Sequence, residues 1–177
     1  MATDNRGTQL AELSRLDERV RELEALAEIE DMHRRFTRAV ADRLFGTLSG
    51  FFTDDAVIDM RRHGETHGRD AIKRHFDGMG AVPLSGAGYL LSSPVVRVTG
   101  DVATGEWTWH RFIADGEVAG KPVRVWGVWE EGRYRCSYRR TDDGWLFSRM
   151  HFRVVLPDPD DPAVDPGIDP ANDGGGA

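Results

Sequence analysis

Apolar residues in the first quarter of the chain recur at helical spacing. Most are separated by three or four positions, with arginine and glutamate between them, and they comprise Leu13, Leu16, Val20, Leu23, Ala27, Ile29, Met32, Phe36, Ala39 and Val40. Such spacing places an apolar stripe along one face of an α-helix. We expect a break near Asp42 and Arg43, followed by a second helical segment over residues 44–52.

From Ala56 onwards the apolar period changes towards two, which is typical of strands. A hairpin is predicted from residues 56–60 and 64–67, and a short helix over residues 69–79. The strands predicted after that helix are residues 89–98, 102–113, 122–140 and 145–155. The turns between them, rich in glycine and aspartate, are residues 99–101, 115–117 and 142–144. Helices first and a four-strand antiparallel meander last indicate an α+β fold, because an α/β fold would alternate the two.

The charge of the chain is concentrated at its C-terminal end. Residues 157–177 hold six aspartates and no lysine or arginine, so of the formal net charge of −7 only −1 remains for the rest. This segment is also nearly devoid of large apolar side chains, and we expect it to be a disordered tail. Neither part offers the basic surface that nucleic-acid binding requires.

Length and composition predict one folded domain with a single core, 177 residues at 40% hydrophobic content. We expect a helical extension over residues 1–22, the domain over 23–156 and the tail over 157–177. The apolar stripe over residues 13–23 exceeds what one small domain can cover, so we expect a homo-oligomer, a dimer or trimer, in which this helix packs against another subunit. The single cysteine and the lack of a long apolar run favour a cytoplasmic protein without membrane contact.

Two segments resemble a known family. Residues 51–60 read as a helix end, an acidic turn and a strand, and residues 132–145 as a strand, an Asp-Asp-Gly turn and a strand that opens on Trp145. Together with the helix start at residues 68–72, they resemble the SnoaL-like branch of the nuclear transport factor 2-like superfamily over about residues 23–155. The resemblance implies a cone, in which a curved antiparallel sheet wraps around helices and leaves a pocket in its mouth.

The resemblance also implies which strand faces line the cone. The rows that contain Trp107 and Tyr134 would point inward, and the rows with Glu106, Thr108 and His110 or with Arg133, Arg135 and Arg139 would face outward. Roles that scytalone dehydratase-like members give to catalytic residues fall here on Val40, Ala41, Met60, Tyr89, Trp107 and Tyr134, and none of these matches the family residue. Ala41 takes the place of the aspartate in the family's Asp–His dyad, and Asp42 would reach inward only if the helix end shifted by one residue.

The remaining interior positions suit an apolar ligand, although aromatic residues at alternating strand positions are also ordinary core residues. The predicted substrate-binding residues are Phe36, Met60, Trp107 and Trp126. Tyr134 and Tyr89 would donate hydrogen bonds to a carbonyl or enolate oxygen, and Asp42 or Glu130 would serve as the carboxylate base. His110 or His151 would reach the pocket only if a bulge shifted the strand register.

Two other histidine-containing segments carry weaker signals. His33 is followed directly by Arg34 and Arg35 and is interpreted as a surface residue. His63 and His67 flank a glutamate but lack a third clustered ligand, so neither a metal nor another cofactor is expected.

The resemblance implies cofactor-free acid–base chemistry on a polyketide-, steroid- or terpenoid-like molecule, by cyclisation, isomerisation or dehydration. This would make the protein a lyase or isomerase of cyclase or dehydratase type. The alternative is a non-catalytic ligand carrier or accessory subunit, similar to the small subunits of ring-hydroxylating dioxygenases. The missing dyad favours the alternative, and the aromatic pocket favours the enzyme.

Overall fold

The computed structural model describes residues 3–60, 64–80, 87–113, 116–118, 121–123 and 129–155. Two α-helices, one short 3-10 helix at Phe45–Phe51 and eight strands are present in these segments. The α-helices are α1 (Thr3–Ala41) and α2 (Arg69–Gly80). The strands are β1 (Phe52–Met60), β2 (Glu65–His67), β3 (Ala87–Thr99), β4 (Val102–Ile113), β5 (Gly116–Val118), β6 (Lys121–Val123), β7 (Trp129–Thr141) and β8 (Gly144–Val154).

The predicted break after the first helix is confirmed. Helix α1 ends at Ala41, and Arg43 then adopts a left-handed backbone with φ 58°. The amide of Leu44 donates a hydrogen bond of 2.8 Å to the carbonyl of Ala39, which closes the last turn. The 3-10 helix follows where the second helical segment was expected, and its C-terminal end leads directly into β1.

Six strands form one curved, open sheet in the order β2-β1-β8-β7-β4-β3. The predicted meander of β3, β4, β7 and β8 is confirmed as antiparallel, and tight turns at Gly100 and Gly144, both with positive φ, connect its outer pairs. The predicted hairpin at β1 and β2 is confirmed as well. The sheet is not wholly antiparallel, however, because β1 pairs with β8 in parallel. These two strands are far apart in sequence, so no short turn forces them into opposite directions.

Of two local predictions between β4 and β7, one is wrong and the other lies partly outside the described residues. Gly116 and Glu117 lie in β5, which pairs with β6, so they do not form the predicted turn. Of the predicted strand over residues 122–140, one part lies in β6 and another in β7, and residues 124–128 lie outside the described residues. Glycine and aspartate mark a turn by composition, but they also occur in a short strand whose pairing partner lies close by.

Helix α1 packs its second half against the concave face of the sheet. The helix residues buried there are Ala25, Ile29, Met32, His33, Phe36, Thr37 and Ala39. Its first half is uncovered, and Leu10, Leu13, Leu16, Val20 and Leu23 are 50–62% exposed. Among the described residues, no helix is both long enough and apolar enough to cross a membrane.

Candidate functional site in the cone interior

Cross-strand rows of large side chains form the inner wall of the cone. One row joins Trp107 on β4, Tyr134 on β7, Phe152 on β8 and Met60 on β1. Trp107, Tyr134 and Phe152 are buried, and Met60 is half-buried at the end of its strand. The inward direction predicted for the Trp107 and Tyr134 rows therefore agrees with the structure.

His33 lies at the centre of this interior, so its interpretation as a surface residue is wrong. It is fully buried, and its ring centroid is 4.5 Å from that of Trp107, 5.0 Å from Phe147 and 5.3 Å from Tyr134. The helix places it on the face of Ile29 and Phe36, four residues after one and three before the other. That helical spacing was the sequence signal for a buried histidine. The two neighbouring arginines led to the wrong interpretation.

A chain of hydrogen bonds orients the His33 ring. The indole Nε1 of Trp107 donates to the hydroxyl of Tyr138 over 2.7 Å, and that hydroxyl lies 3.2 Å from Nδ1 of His33. An indole N–H only donates, so the Tyr138 oxygen accepts it, and the phenol then has its own proton to donate to Nδ1 of His33 or to the Cys136 sulfur. We assign His33 to the tautomer in which Nδ1 accepts the phenol proton and Nε2 carries the imidazole proton.

Two polar atoms on the inner face of α1 are buried without a hydrogen-bond partner in the described segments. They are Nε2 of His33 and, one helical turn later, the hydroxyl oxygen of Thr37. Leaving a buried donor unsatisfied costs about 1–3 kcal/mol, so such atoms are uncommon in native interiors. The pair gives this otherwise apolar wall two positions that could satisfy a ligand oxygen.

Burial keeps the interior groups uncharged. It lowers the pKa of His33 to about 3 and raises the pKa of the Cys136 thiol to about 12. It also raises the pKa of Tyr138 well above that of an ordinary tyrosine. At neutral pH the imidazole of His33 and the phenol of Tyr138 are therefore both uncharged.

Two glycines on the inner face allow the rings to lie against neighbouring strands. A Cβ added to Gly132 would lie 2.5 Å from Cε2 of Phe152, and one added to Gly105 would lie 3.0 Å from Cε2 of Tyr138. The first distance is shorter than a carbon–carbon contact permits, and the second would require Tyr138 to move by a few tenths of an ångström. The positions of Phe152 and Tyr138 in the wall therefore depend on the absence of a side chain at these two residues.

Tyr89, Arg111 and Glu130 meet in register at one end of the inner face. Arg111 is the register partner of both Tyr89 on β3 and Glu130 on β7. The Tyr89 ring is 5.6 Å from that of Trp109, and the Arg111 guanidinium lies over the same indole at 5.9 Å. Tyr89 is half-buried, so this end combines a phenol, a cation and the backbone position of Glu130.

Other predicted site residues lie apart from this interior or outside the description. Asp42 is exposed just beyond α1, with its carboxylate 3.7 Å from Arg38, so the shift that would turn it inward does not occur. His110 alternates with the inward residues Trp107 and Trp109 and therefore belongs to the outer face of β4. Trp126 lies outside the described residues.

Phe36, a predicted substrate-binding residue, is fully buried inside the cone. Its ring is 5.3 Å from that of Phe147 and 5.7 Å from that of Phe51.

Within the described ranges, no three histidine, cysteine, aspartate or glutamate side chains converge as they would around a metal ion. His63 lies outside those ranges.

Comparison with known sequences gives a family match for most of the chain. The model of the SnoaL-like domain matches residues 21–151, which confirms the resemblance inferred from the sequence. Among curated proteins, none matches the chain at a significant level.

Solved structures with the same fold come from several proteins. A nuclear transport factor 2-like protein with a cystatin-like fold from Novosphingobium aromaticivorans has 25% identity and a TM-score of 0.62, over 79% of this chain and 88% of that chain. A scytalone dehydratase-like protein from the same organism has 18% identity and a TM-score of 0.61, over 76% and 86%. A type 2 hexachlorocyclohexane dehydrochlorinase (LinA) has 19% identity and a TM-score of 0.58, over 81% and 88%.

Proposed function

Because the chain belongs to the family of SnoaL-like domains, we propose that it binds a hydrophobic small molecule inside the cone and performs cofactor-free acid–base chemistry on it. The ligand is polyketide-, steroid- or terpenoid-like and carries a carbonyl group. The observation that carries this proposal is the buried Nε2 of His33, an unsatisfied donor within an aromatic wall.

An uncharged carbonyl fits this interior better than a carboxylate does. Nε2–H of His33 donates, Thr37 adds a hydroxyl one turn away, and neither carries charge. A carboxylate would lose its hydration without gaining a counter-charge beside His33, whereas a ketone loses little. Nε2 is sealed by the surrounding rings, so a ligand oxygen reaches it by displacing one of them. Such a ligand would supply the hydrogen-bond acceptor that Nε2 lacks among the described residues.

The proposed chemistry is proton transfer next to that carbonyl. A neutral imidazole N–H stabilises a developing enolate oxygen without losing a proton itself. Tyr134 and Tyr89 are the further donors in this proposal, and Glu130 is the carboxylate base, since Asp42 is exposed outside the interior. Two of the similar structures bear the names of a dehydratase and a dehydrochlorinase, enzymes that eliminate water and hydrogen chloride.

A matched pair of bicyclic compounds tests the binding. 2-Tetralone and tetralin differ in one carbonyl, and quenching of tryptophan fluorescence reports their dissociation constants. We expect the wild-type protein to prefer 2-tetralone by about two- to tenfold, the value of one hydrogen bond. His33→Asn keeps an acceptor near Tyr138 but removes the donor at Nε2, so the preference should disappear. His33→Gln, which restores an N–H near Nε2, is the control and should retain part of it. Equal binding of both compounds by the wild type contradicts the proposal.

The same ketone tests the chemistry. Exchange of its α-protons for deuterium, followed by NMR, measures enolisation directly. We expect Tyr134→Phe to lower the exchange rate by about 10²–10³, because it removes one preorganised donor and keeps the ring. Glu130→Gln should abolish exchange while binding persists. If the wild-type protein binds 2-tetralone and accelerates no exchange, the non-catalytic carrier or accessory subunit is the better description. Ala41, which replaces the family aspartate, favours that second function.

A further inference from the structure

The sheet has a cavity on the face turned away from α1. This outer cavity encloses about 440 Å³ and is lined mainly by polar side chains from β1, β3, β4, β7 and β8. The charged and titratable residues among them are Asp59, Arg97, Glu106, Arg135, Arg149 and His151. It is separate from the cone interior, because the residues of each strand alternate between the two faces.

Two arginines and two hydroxyls form one cross-strand row in this cavity. Arg149 on β8 is the register partner of Ser137 on β7, Ser137 that of Thr104 on β4, and Thr104 that of Arg97 on β3. All four residues line the cavity. Two guanidinium groups that flank two hydroxyl groups present only hydrogen-bond donors and rotatable O–H groups towards the space between them.

The neighbouring row supplies a third arginine and an oriented imidazole. Across the strands it runs from Asp59 through His151 and Arg135 to Glu106. Nε2 of His151 lies 3.4 Å from the Asp59 carboxylate, and Arg135 lies 3.7 Å from Glu106. Both carboxylates in the cavity therefore already have a basic neighbour.

Not every arginine that lines the outer cavity has a carboxylate partner. Arg149 pairs with Glu65, a residue outside the cavity, and Arg153 approaches Asp59 at 4.0 Å. Across the segments that the structure describes, no ion pair or side-chain hydrogen bond involves the guanidinium of Arg97. Burial and then Arg153 lower the pKa of His151, with further contributions from Arg135 and Arg149, while Asp59 opposes them. An excess of positive charge therefore surrounds this imidazole.

We propose that the outer cavity is a second ligand site, and that it binds a phosphate group between Arg97, Arg149 and Arg135, with Ser137 and Thr104 as hydroxyl donors. Guanidinium groups match the oxygens of a phosphate in pairs, and charge-assisted hydrogen bonds are the stronger ones. With Glu65 beside Arg149 and Arg153 beside Asp59, four arginines face three carboxylates, so one positive charge remains for an added anion. A tetrahedral group with several oxygens can also use donors from two adjacent rows at once, which a flat carboxylate cannot.

Inorganic phosphate is the probe for this site. Titration of the full-length protein at low ionic strength, followed through the ¹H–¹³C signal of the His151 ring, gives both a dissociation constant and the pKa of His151. Bound phosphate should raise that pKa, since it adds negative charge beside Asp59 and against Arg135, Arg149 and Arg153. Arg97→Gln should weaken binding about five- to tenfold. Glu106→Gln should strengthen it, because it frees Arg135 and removes a repelling charge.

The controls separate a site from general charge screening. Arg140 is an arginine elsewhere on the molecule, beside Glu28 of α1, and Arg140→Gln should leave phosphate binding unchanged. Chloride at the same ionic strength should not shift the His151 signal. The proposal is overturned if Arg140→Gln weakens binding as much as Arg97→Gln, if chloride or acetate acts like phosphate, or if phosphate fails to bind the wild-type protein because two copies cover this face in solution.

Discussion

At the scale of single residues, a histidine inside the core links folding to pH. The pKa of His33 is about 3 in the folded protein and close to 6.5 in an unfolded chain. Between these values the unfolded state binds a proton that the folded state excludes. Stability from this group is therefore fully present above pH 6.5 and is lost as the pH falls towards 3, by up to about 1.4 kcal/mol per pH unit.

We expect urea unfolding to reveal this linkage. Between pH 7 and pH 5 the free energy of unfolding should fall by about 2 kcal/mol through His33 alone. His33→Phe keeps an aromatic ring and cannot bind the proton, so its loss over this pH range should be smaller than that of the wild type by that amount. His151, whose pKa is also lowered, serves as the control through His151→Gln, with a smaller difference because the ring is half-buried. Equal slopes for the wild type and His33→Phe would contradict this assignment.

Strand alternation in the sequence correctly indicated the inward side chains of Trp107 and Tyr134, but it could not indicate His33 or Asp42. The direction of the His33 side chain depends on how α1 is rotated against the sheet. The apolar pattern of the helix did not fix that rotation, so the charged neighbours of His33 suggested an exposed position. The direction of the Asp42 side chain depends on the left-handed backbone at Arg43. Charged residues at a helix end do not specify this backbone conformation, so the sequence did not predict it.

At the scale of elements, local patterns predicted the helices and the long strands, and pairing between distant segments remained open. The meander from β3 to β8 follows from turns between successive strands. The parallel pairing of β1 with β8 has no local sequence signal, and the short β5–β6 hairpin depends on a partner only a few residues away. The first pairing is a tertiary choice between distant segments, whereas the second is a local pairing that the glycine at residue 116 concealed as a turn.

The uncovered half of α1 leads to a prediction about assembly. Leu13, Leu16 and Val20 are each at least 50% exposed, and we expect a homo-oligomer in which they are buried. Light scattering should give a multiple of the 19.8 kDa chain mass for the full-length protein and a smaller mass for protein lacking residues 1–20. In the full-length chain, Leu16→Glu with Val20→Glu should act like the deletion, whereas Glu18→Gln on the same stretch should not. The prediction fails if full-length and shortened proteins are both monomers.

At the scale of the whole molecule, the charge and the core belong to different parts of the chain. Residues 157–177 carry six of the seven net negative charges and have no large side chain beyond Val164 and Ile168. Deleting them should therefore leave the melting temperature almost unchanged. A matched control is deletion of residues 145–177, which removes β8 and should abolish cooperative unfolding. A fall of more than about 4–8 °C after the first deletion, the scale of one kcal/mol in a small domain, would mean that the segment packs on the core.

The parallel contact between β1 and β8 also sets the order in which this protein can fold during its synthesis. Phe52 pairs with Phe147 and Met60 with Phe152. Strand β1 therefore cannot complete its pairing until β8, which follows all the other described strands in the chain, has been synthesised. Until β8 leaves the ribosome, the apolar face of α1 and the rings of β1 have no complete sheet to cover them. High contact order of this kind slows folding, and it extends the period in which exposed apolar surface can aggregate or bind a chaperone.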